Sequence, residues 1–256
     1  MFGTFSQLFS GLVNKTTSPI AQTSNIDNNN TTISIQKSSV SSSGSRRTYE
    51  NNERENELIY QSLKSHYNFL ITKYDSNLIE HVNLLKSIFK IIFGTNLQQE
   101  EICNCQKWTV LGFQNKDPST DLRSLGILGL CTMEYLCKYH TSSVKNEYMN
   151  REYPFACCVF SIVNFMVSEM NMRQILTSNY CDNSQLILLM KKELYFNGDN
   201  LKQLDLFERL FCILFEYFDY LWTKKHQASY MDFPIVYDIF TKNVNNVLKK
   251  EPGTFG

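Results

Sequence analysis

Apolar residues recur at helical spacing from about Arg54 onward. Ile59, Leu63, Leu70 and Tyr74 fall on one stripe. Ile79, Val82, Leu85, Phe89 and Ile92 fall on a second, and Gly94 closes it, free to take the left-handed C-cap conformation. Later periodic stretches run through about 121–140, 153–176, 184–196, 201–224 and 231–248, punctuated by Pro154 and Gly198. No convincing run of strand-like alternation interrupts them. The pattern predicts an all-α domain over residues 54–250, with about seven to ten helices around one core, and a short tail at 251–256. A domain of that length buries a substantial core without metals or disulfides.

Residues 1–53 break the pattern. Asn28–Thr32 reads NNNTT and Ser38–Ser45 reads SSVSSSGS, a polar low-complexity arm expected to be disordered because it buries too little apolar surface to offset chain entropy. The segment 1–13 is the exception. Phe2, Phe5, Phe9 and Leu12, joined by Leu8 and Val13, form one apolar helix face opposite Thr4, Ser6, Gln7, Ser10 and Gly11. Two readings stand open: a lipid-packing helix giving weak membrane-surface contact through residues 2–13, or a short segment that docks or frays. Phe2 excludes N-myristoylation.

Composition narrows the class. The 256 residues carry 25 Lys+Arg against 25 Asp+Glu, and the arm holds only four cations against three anions, so neither part conceals a charged block. That balance excludes a general nucleic-acid binder, and 43% hydrophobic residues exclude a wholly disordered chain. Eight Cys raise the question of disulfides or zinc. Cys131, Cys137, Cys157, Cys158 and Cys212 lie in apolar runs, where a free thiol acts as a small hydrophobe. Cys103 and Cys105 form a C-x-C without a second pair, and His66, His81, His140 and His226 are scattered, so no metal site is predicted. With no signal peptide in view and the apolar run from Cys157 broken at Ser161 and Asn164, the expectation is a cytoplasmic protein, with peripheral contact to internal membranes if the first residues bind lipid.

Residues 108–130 read WTVLGFQNKDPSTDLRSLGILGL. Trp108 and Phe113 are large apolar anchors around Gly112, consistent with a short helix ending in a tight turn. Asp117-Pro118 then reads as a helix start, with Asp117 as N-cap, Pro118 at N1 and Thr120 as the alternative cap. On that reading Arg123 opposes the helix dipole, and Gly126 and Gly129 each cost about 1 kcal/mol against Ala. A helix start with an adverse charge and two glycines breaks local rules, as functional sites do. The alternative is an Arg123 salt-bridged to a neighbouring helix and glycines that serve packing. No phosphate-binding loop, dinucleotide fingerprint or nucleophile elbow occurs in the chain.

The run Trp108, Gly112-Phe113-Gln114, Pro118, Thr120-Asp121, Arg123, Gly126 and Leu130 resembles the signature of the ELMO (engulfment and cell motility) domain, approximately W-x3-G-F-Q-x3-P-x-T-D-F-R-G-x-G. Leu122 replaces the usual Phe and Ser124 the usual Gly. Further similarity lies in Tyr153-Pro154-Phe155-Ala156, in Phe218-Asp219 with Trp222, and in Met231-Asp232-Phe233, so the resemblance covers about residues 58–248. It implies one of two roles. Stand-alone ELMO domain-containing proteins are GTPase-activating proteins for Arf and Arf-like GTPases. The larger ELMO proteins add repeats and a PH domain and work with DOCK proteins on Rac as non-catalytic scaffolds. The length of this chain favours the first. The resemblance further implies that Arg123 is the arginine finger, with Trp108, Gly112, Phe113, Gln114, Pro118, Thr120, Asp121 and Gly126 as scaffold and positioning residues. It implies no cofactor of the chain's own, since GTP and Mg²⁺ belong to the partner GTPase.

Overall fold

The computed structural model describes residues 43–174, 190, 205–226 and 229–249. The segment 1–13, the rest of the arm to residue 42, the stretch 184–196 apart from Met190, Gly198 and the tail 251–256 lie outside the described residues. Contacts divide the chain into Met1–Glu50 and Asn51–Gly256. Of the first unit only residues 43–50 are described, and they are helical. The second unit holds all the other described residues.

The described residues form eight α-helices, several 3₁₀ turns and a π-helical turn at Leu221–His226, joined by loops, with no strand among them. α1 is Ser43–Ile71, α2 Ile79–Phe93, α3 Lys107–Val110, α4 Leu128–Tyr139, α5 Thr141–Asn146, α6 Phe155–Glu169, α7 Asp205–Tyr220 and α8 Phe233–Lys249. The all-α reading of the sequence holds. Ile59, Leu63 and Leu70 are buried along α1 as their spacing requires, and Gly94 caps α2 at φ +69°, its N–H donating to the Lys90 carbonyl. Tyr74 departs from its stripe. α1 stops at Ile71, so Tyr74 lies in the loop beyond it, half-buried, with its hydroxyl enclosed and unpartnered among the described residues.

α6 is the hub. Ten of its side chains, from Phe155 to Val167, are buried, so it is apolar nearly all round, as a helix enclosed by others must be. α4 packs on α2 and on α6, α7 packs on α4 and α6, and α8 packs on α7. Phe211, Phe215, Phe218 and Phe240 fill the seam between the later helices, with Phe218 meeting Phe240 edge to face at 5.9 Å. Phe155 closes the near end of the same seam, edge-on to Phe215 at 5.6 Å between ring centroids.

One polar link pins α1 to α7. The His66 ring is buried, stacked on Phe207 at 4.7 Å, with Nδ1 2.6 Å from the Ser62 carbonyl and Nε2 2.8 Å from Glu208 Oε1. The carbonyl only accepts, so Nδ1–H donates, and one proton lies between Nε2 and the carboxylate. Glu208→Ala strands Nε2 in an apolar setting and is expected to destabilise the domain by about 3 kcal/mol in a urea titration. Glu208→Gln retains a bond to Nε2 and is expected to lose less than half as much.

Burial pushes the thiols up: Cys131 and Cys137 to about 12, Cys157 to about 11, and Cys158 and Cys212 upward as well. These are neutral packing groups rather than nucleophiles.

Candidate functional site

The motif region is built from a helix stop, a capped turn and an outward crest. α3 ends in a Schellman motif, with the Phe113 N–H donating to the Trp108 carbonyl at 3.0 Å and the Gly112 N–H to the Thr109 carbonyl at 3.1 Å. Gly112 takes φ +93°, and Trp108 meets Phe113 edge-on at 5.4 Å, the hydrophobic contact that accompanies this cap. The Trp-x3-Gly-Phe spacing is therefore a helix terminator. Trp108 is fully buried and its Nε1–H donates to the Ile102 carbonyl at 2.8 Å.

Asp117 caps the next turn as expected, accepting from the Ser119 N–H at 2.9 Å, with Pro118 buried at its first position. That turn is only the 3₁₀ segment Pro118–Asp121. Thr120 donates to the Asp117 carbonyl at 3.0 Å, inside the turn and not at its start. Asp121 Oδ2 accepts from the Gln114 N–H at 2.8 Å, so this carboxylate ties the end of the turn to the start of the loop. Gln114 presents its side chain to solvent.

The chain does not continue into a helix from here, and this corrects the sequence reading of 121–140. α4 begins only at Leu128, so Arg123 is not in the first turns of a helix and opposes no dipole. The physical reason lies in α1. The Ile127 N–H, which a helix from Asp117 would direct to the Arg123 carbonyl, donates instead to the carbonyls of Phe69 and Thr72, at 3.1 and 2.9 Å. Gly126 turns the chain there at φ +54°, and a Cβ on it would lie 2.4–2.7 Å from the carbonyl oxygens of Thr72, Leu70 and Phe69. Only Gly129 is helical, and it admits the Phe160 ring, which a Cβ would meet at 2.9 Å.

Between those anchors stands a two-residue crest. Leu122 and Leu125 are buried at 3% and 2%, while Arg123 and Ser124 between them are exposed. Arg123 makes no hydrogen bond or ion pair with the described residues, so the salt-bridged alternative is not what the fold shows. Leu122, where Phe is usual, serves as a buried anchor. Ser124, where Gly is usual, has its carbonyl 3.4 Å from Arg173 Nη2.

Beside the crest runs a groove of about 740 Å³, walled by Gln114, Asp121, Ser124, Leu125, Tyr230 and Met231 among others. A second recess of about 270 Å³ extends it past Gly112 and Arg151. Its far wall is held by a capping box, in which Asp232 Oδ2 accepts from both the N–H and the hydroxyl of Ser229. That turn presents Met231 at 81% and Tyr230 at 62% exposure. Further back, Asp219 accepts from Arg151 at 3.1 Å and from the Tyr153 hydroxyl at 3.0 Å, while Tyr153 meets Trp222 edge-on at 5.3 Å. Burial, with Asp219 next to it, raises the Tyr153 hydroxyl far above the ordinary phenol range. The fold thus brings the separated segments 108–130, 153–156, 218–222 and 231–233 to one end of the domain. Arg173 and Arg151 carry no local sequence signal, whereas Asp219 falls in the Phe218-Asp219 similarity. The Ser229-x-x-Asp232 spacing carries one, since it is a capping signature.

The described residues are all helical, with Arg123 unpartnered among them beside an apolar groove. The chain matches the ELMO/CED-12 family over residues 66–237 and belongs to that family. It is 28% identical to ELMO domain-containing protein C of Dictyostelium discoideum over 201 residues, covering 76% of this chain and 31% of that protein. It is 26% identical to human ELMO domain-containing protein 2 over 175 residues, covering 68% of this chain and 56% of that one. The same domain is similar at 28% to part of the Dictyostelium ankyrin repeat and ELMO domain-containing protein D, of which it spans 13%. The chain therefore spans about half or less of the length of these relatives. No solved structure matches it. No described helix is long and apolar enough to cross a membrane.

Proposed function

We propose that this chain is a GTPase-activating protein for Arf-family small GTPases, Arf-like members included, and that it supplies Arg123 in trans. The observation that carries the reading is the state of that residue: exposed, without an intramolecular partner among the described residues, on a crest whose two ends are buried leucines. An arginine left free on a braced loop is available to another molecule's charge. Developing charge on the transferring phosphoryl group is what a guanidinium neutralises, with several donors in one fixed plane. GTP and Mg²⁺ remain the partner's.

The groove supplies the apolar surface on which such a partner would rest. Exposed Tyr and Met side chains on a rigid turn are typical anchors of an interface. Met231→Ser is expected to raise the concentration needed for half-maximal stimulation about fivefold, with the rate at saturation unchanged.

The deciding experiment is single-turnover hydrolysis on a panel of preloaded Arf-family GTPases, with wild type beside Arg123→Ala. Acceleration by wild type that Arg123→Ala lacks supports the reading. Equal rates across the panel end it. Tight binding of the GTP form without faster turnover would instead assign the scaffold role of the larger, DOCK- and Rac-linked branch of the family.

A further inference from the structure

Resting on the reading of Arg123 as a finger, we infer that Arg173 is its positioning residue, setting the direction of the crest through the Ser124 carbonyl. Arg173 belongs to the 3₁₀ turn Met172–Gln174 that comes after α6. Its backbone has little freedom. Met170 and Met172 are buried at 1% and 0%, and Asn171 between them takes the left-handed conformation at φ 51°, which Asn tolerates better than most residues. The guanidinium emerges from this fixed base and its Nη2 donates to the Ser124 carbonyl at 3.4 Å. The bond is long, and its charged donor gives it weight.

The crest needs such a hold. Leu122 and Leu125 fix its ends, but the peptides on either side of Arg123 and Ser124 can still rotate together and swing the Arg123 side chain. The contact from Arg173 is the one side-chain hydrogen bond to the crest among the described residues. The brace works on the backbone carbonyl and does not depend on the Ser124 side chain. Arg173 has no ion-pair partner among the described residues, and the carbonyl it holds is at the surface, where water replaces a lost donor. Removing it therefore costs the fold little, and the effect falls on where Arg123 points.

The test combines turnover with amide exchange on the full chain. Arg173→Ala is expected to lower the stimulated rate at saturation about tenfold, as a misplaced reacting group does, with the half-saturating concentration and melting temperature unchanged. Arg173→Lys keeps the charge on a side chain one bond shorter and is expected to restore only part of the rate. In an Arg123→Ala background the Arg173→Ala change is expected to do nothing further, because the two act as one unit. Independently of any GTPase, Arg173→Ala is expected to speed hydrogen exchange about fivefold at the Leu122 and Ile127 amides, the hydrogen-bonded ones that flank the crest. Unchanged exchange overturns the inference. So does a loss confined to the half-saturating concentration, which marks direct contact with the partner, or a loss that persists without Arg123. If wild type accelerates no GTPase, the finger reading falls by itself, and the exchange result still decides whether Arg173 holds the crest.

Discussion

Arg123→Lys is expected to remove nearly all acceleration of GTP hydrolysis while leaving the fold and the affinity for the GTP-loaded partner close to wild type. An arginine delivered in trans contributes about 10³–10⁵-fold, or roughly 4–7 kcal/mol, to this class of reaction. Lysine keeps one positive charge but not the planar fork that meets two oxygens at once, so most of that factor goes with the substitution. The structure makes the accompanying silence equally specific. Arg123 touches no hydrogen-bond or ion-pair partner among the described residues, and the leucines that hold its backbone are untouched by the change. Thermal melts of wild type, Arg123→Lys and Arg123→Ala should coincide within about 2 °C, because surface substitutions of this kind stay within about 0.5 kcal/mol. Single-turnover phosphate release supplies the other axis. A lysine variant that retained a third of the acceleration would show that charge alone suffices. An alanine variant that melted several degrees lower would make Arg123 structural.

The contrast between Arg123 and Gly94 shows what a sequence can convey. Gly94 comes after an apolar stripe within its own helix, so every signal for its left-handed cap lies within one turn, and the cap forms as expected. Asp117 is equally local: its carboxylate reaches an N–H two residues away. Arg123 is different. Its neighbourhood reads as a helix start, and the helix fails to form because the Ile127 N–H has better acceptors at the end of α1, distant in sequence. No periodicity within residues 108–130 encodes that. The rule violation at Arg123 and Gly126 is real, but its cause is a loop pressed onto another helix end and not an unfavourable helix. Arg173 is illegible for the same reason: an exposed arginine after an apolar run acquires meaning only from the carbonyl it reaches. The groove lies between these cases. Its capping box is a sequence signature, whereas the approach of that turn to Gln114 and Ser124 is tertiary.

Gly112→Ala is expected to be among the most damaging single substitutions in the domain, and the reason separates two demands that glycine meets at once. At φ +93° an L-residue is strained by about 1–2 kcal/mol whatever surrounds it. At Gly112 there is no room either. A Cβ would lie 2.4 Å from the Phe155 nitrogen and 2.6 Å from the Pro154 carbonyl carbon, both backbone atoms at the start of α6. Backbone cannot swing aside as a long side chain does, so the helix start must move, adding about 1–3 kcal/mol of overpacking. The displaced contacts are the ones that seat the motif on the core: the Ala156 N–H to the Leu111 carbonyl at 3.0 Å, and the Cys157 thiol to the Gly112 carbonyl at 3.2 Å. The total loss is then about 2–5 kcal/mol, a large share of the 5–15 kcal/mol that holds a domain folded. Gly94→Ala is the control, because its φ of +69° carries the same strain while nothing lies within 4 Å of the added carbon. It should lose only about 1–2 kcal/mol. Urea titrations of the two variants, read against wild type, measure the difference directly. Equal losses would mean that the close approach of α3 to α6 is slack, and that strain alone accounts for the glycine in the Trp-x3-Gly-Phe turn. A larger loss at Gly112 makes that glycine the contact on which the loop bearing Arg123 is seated.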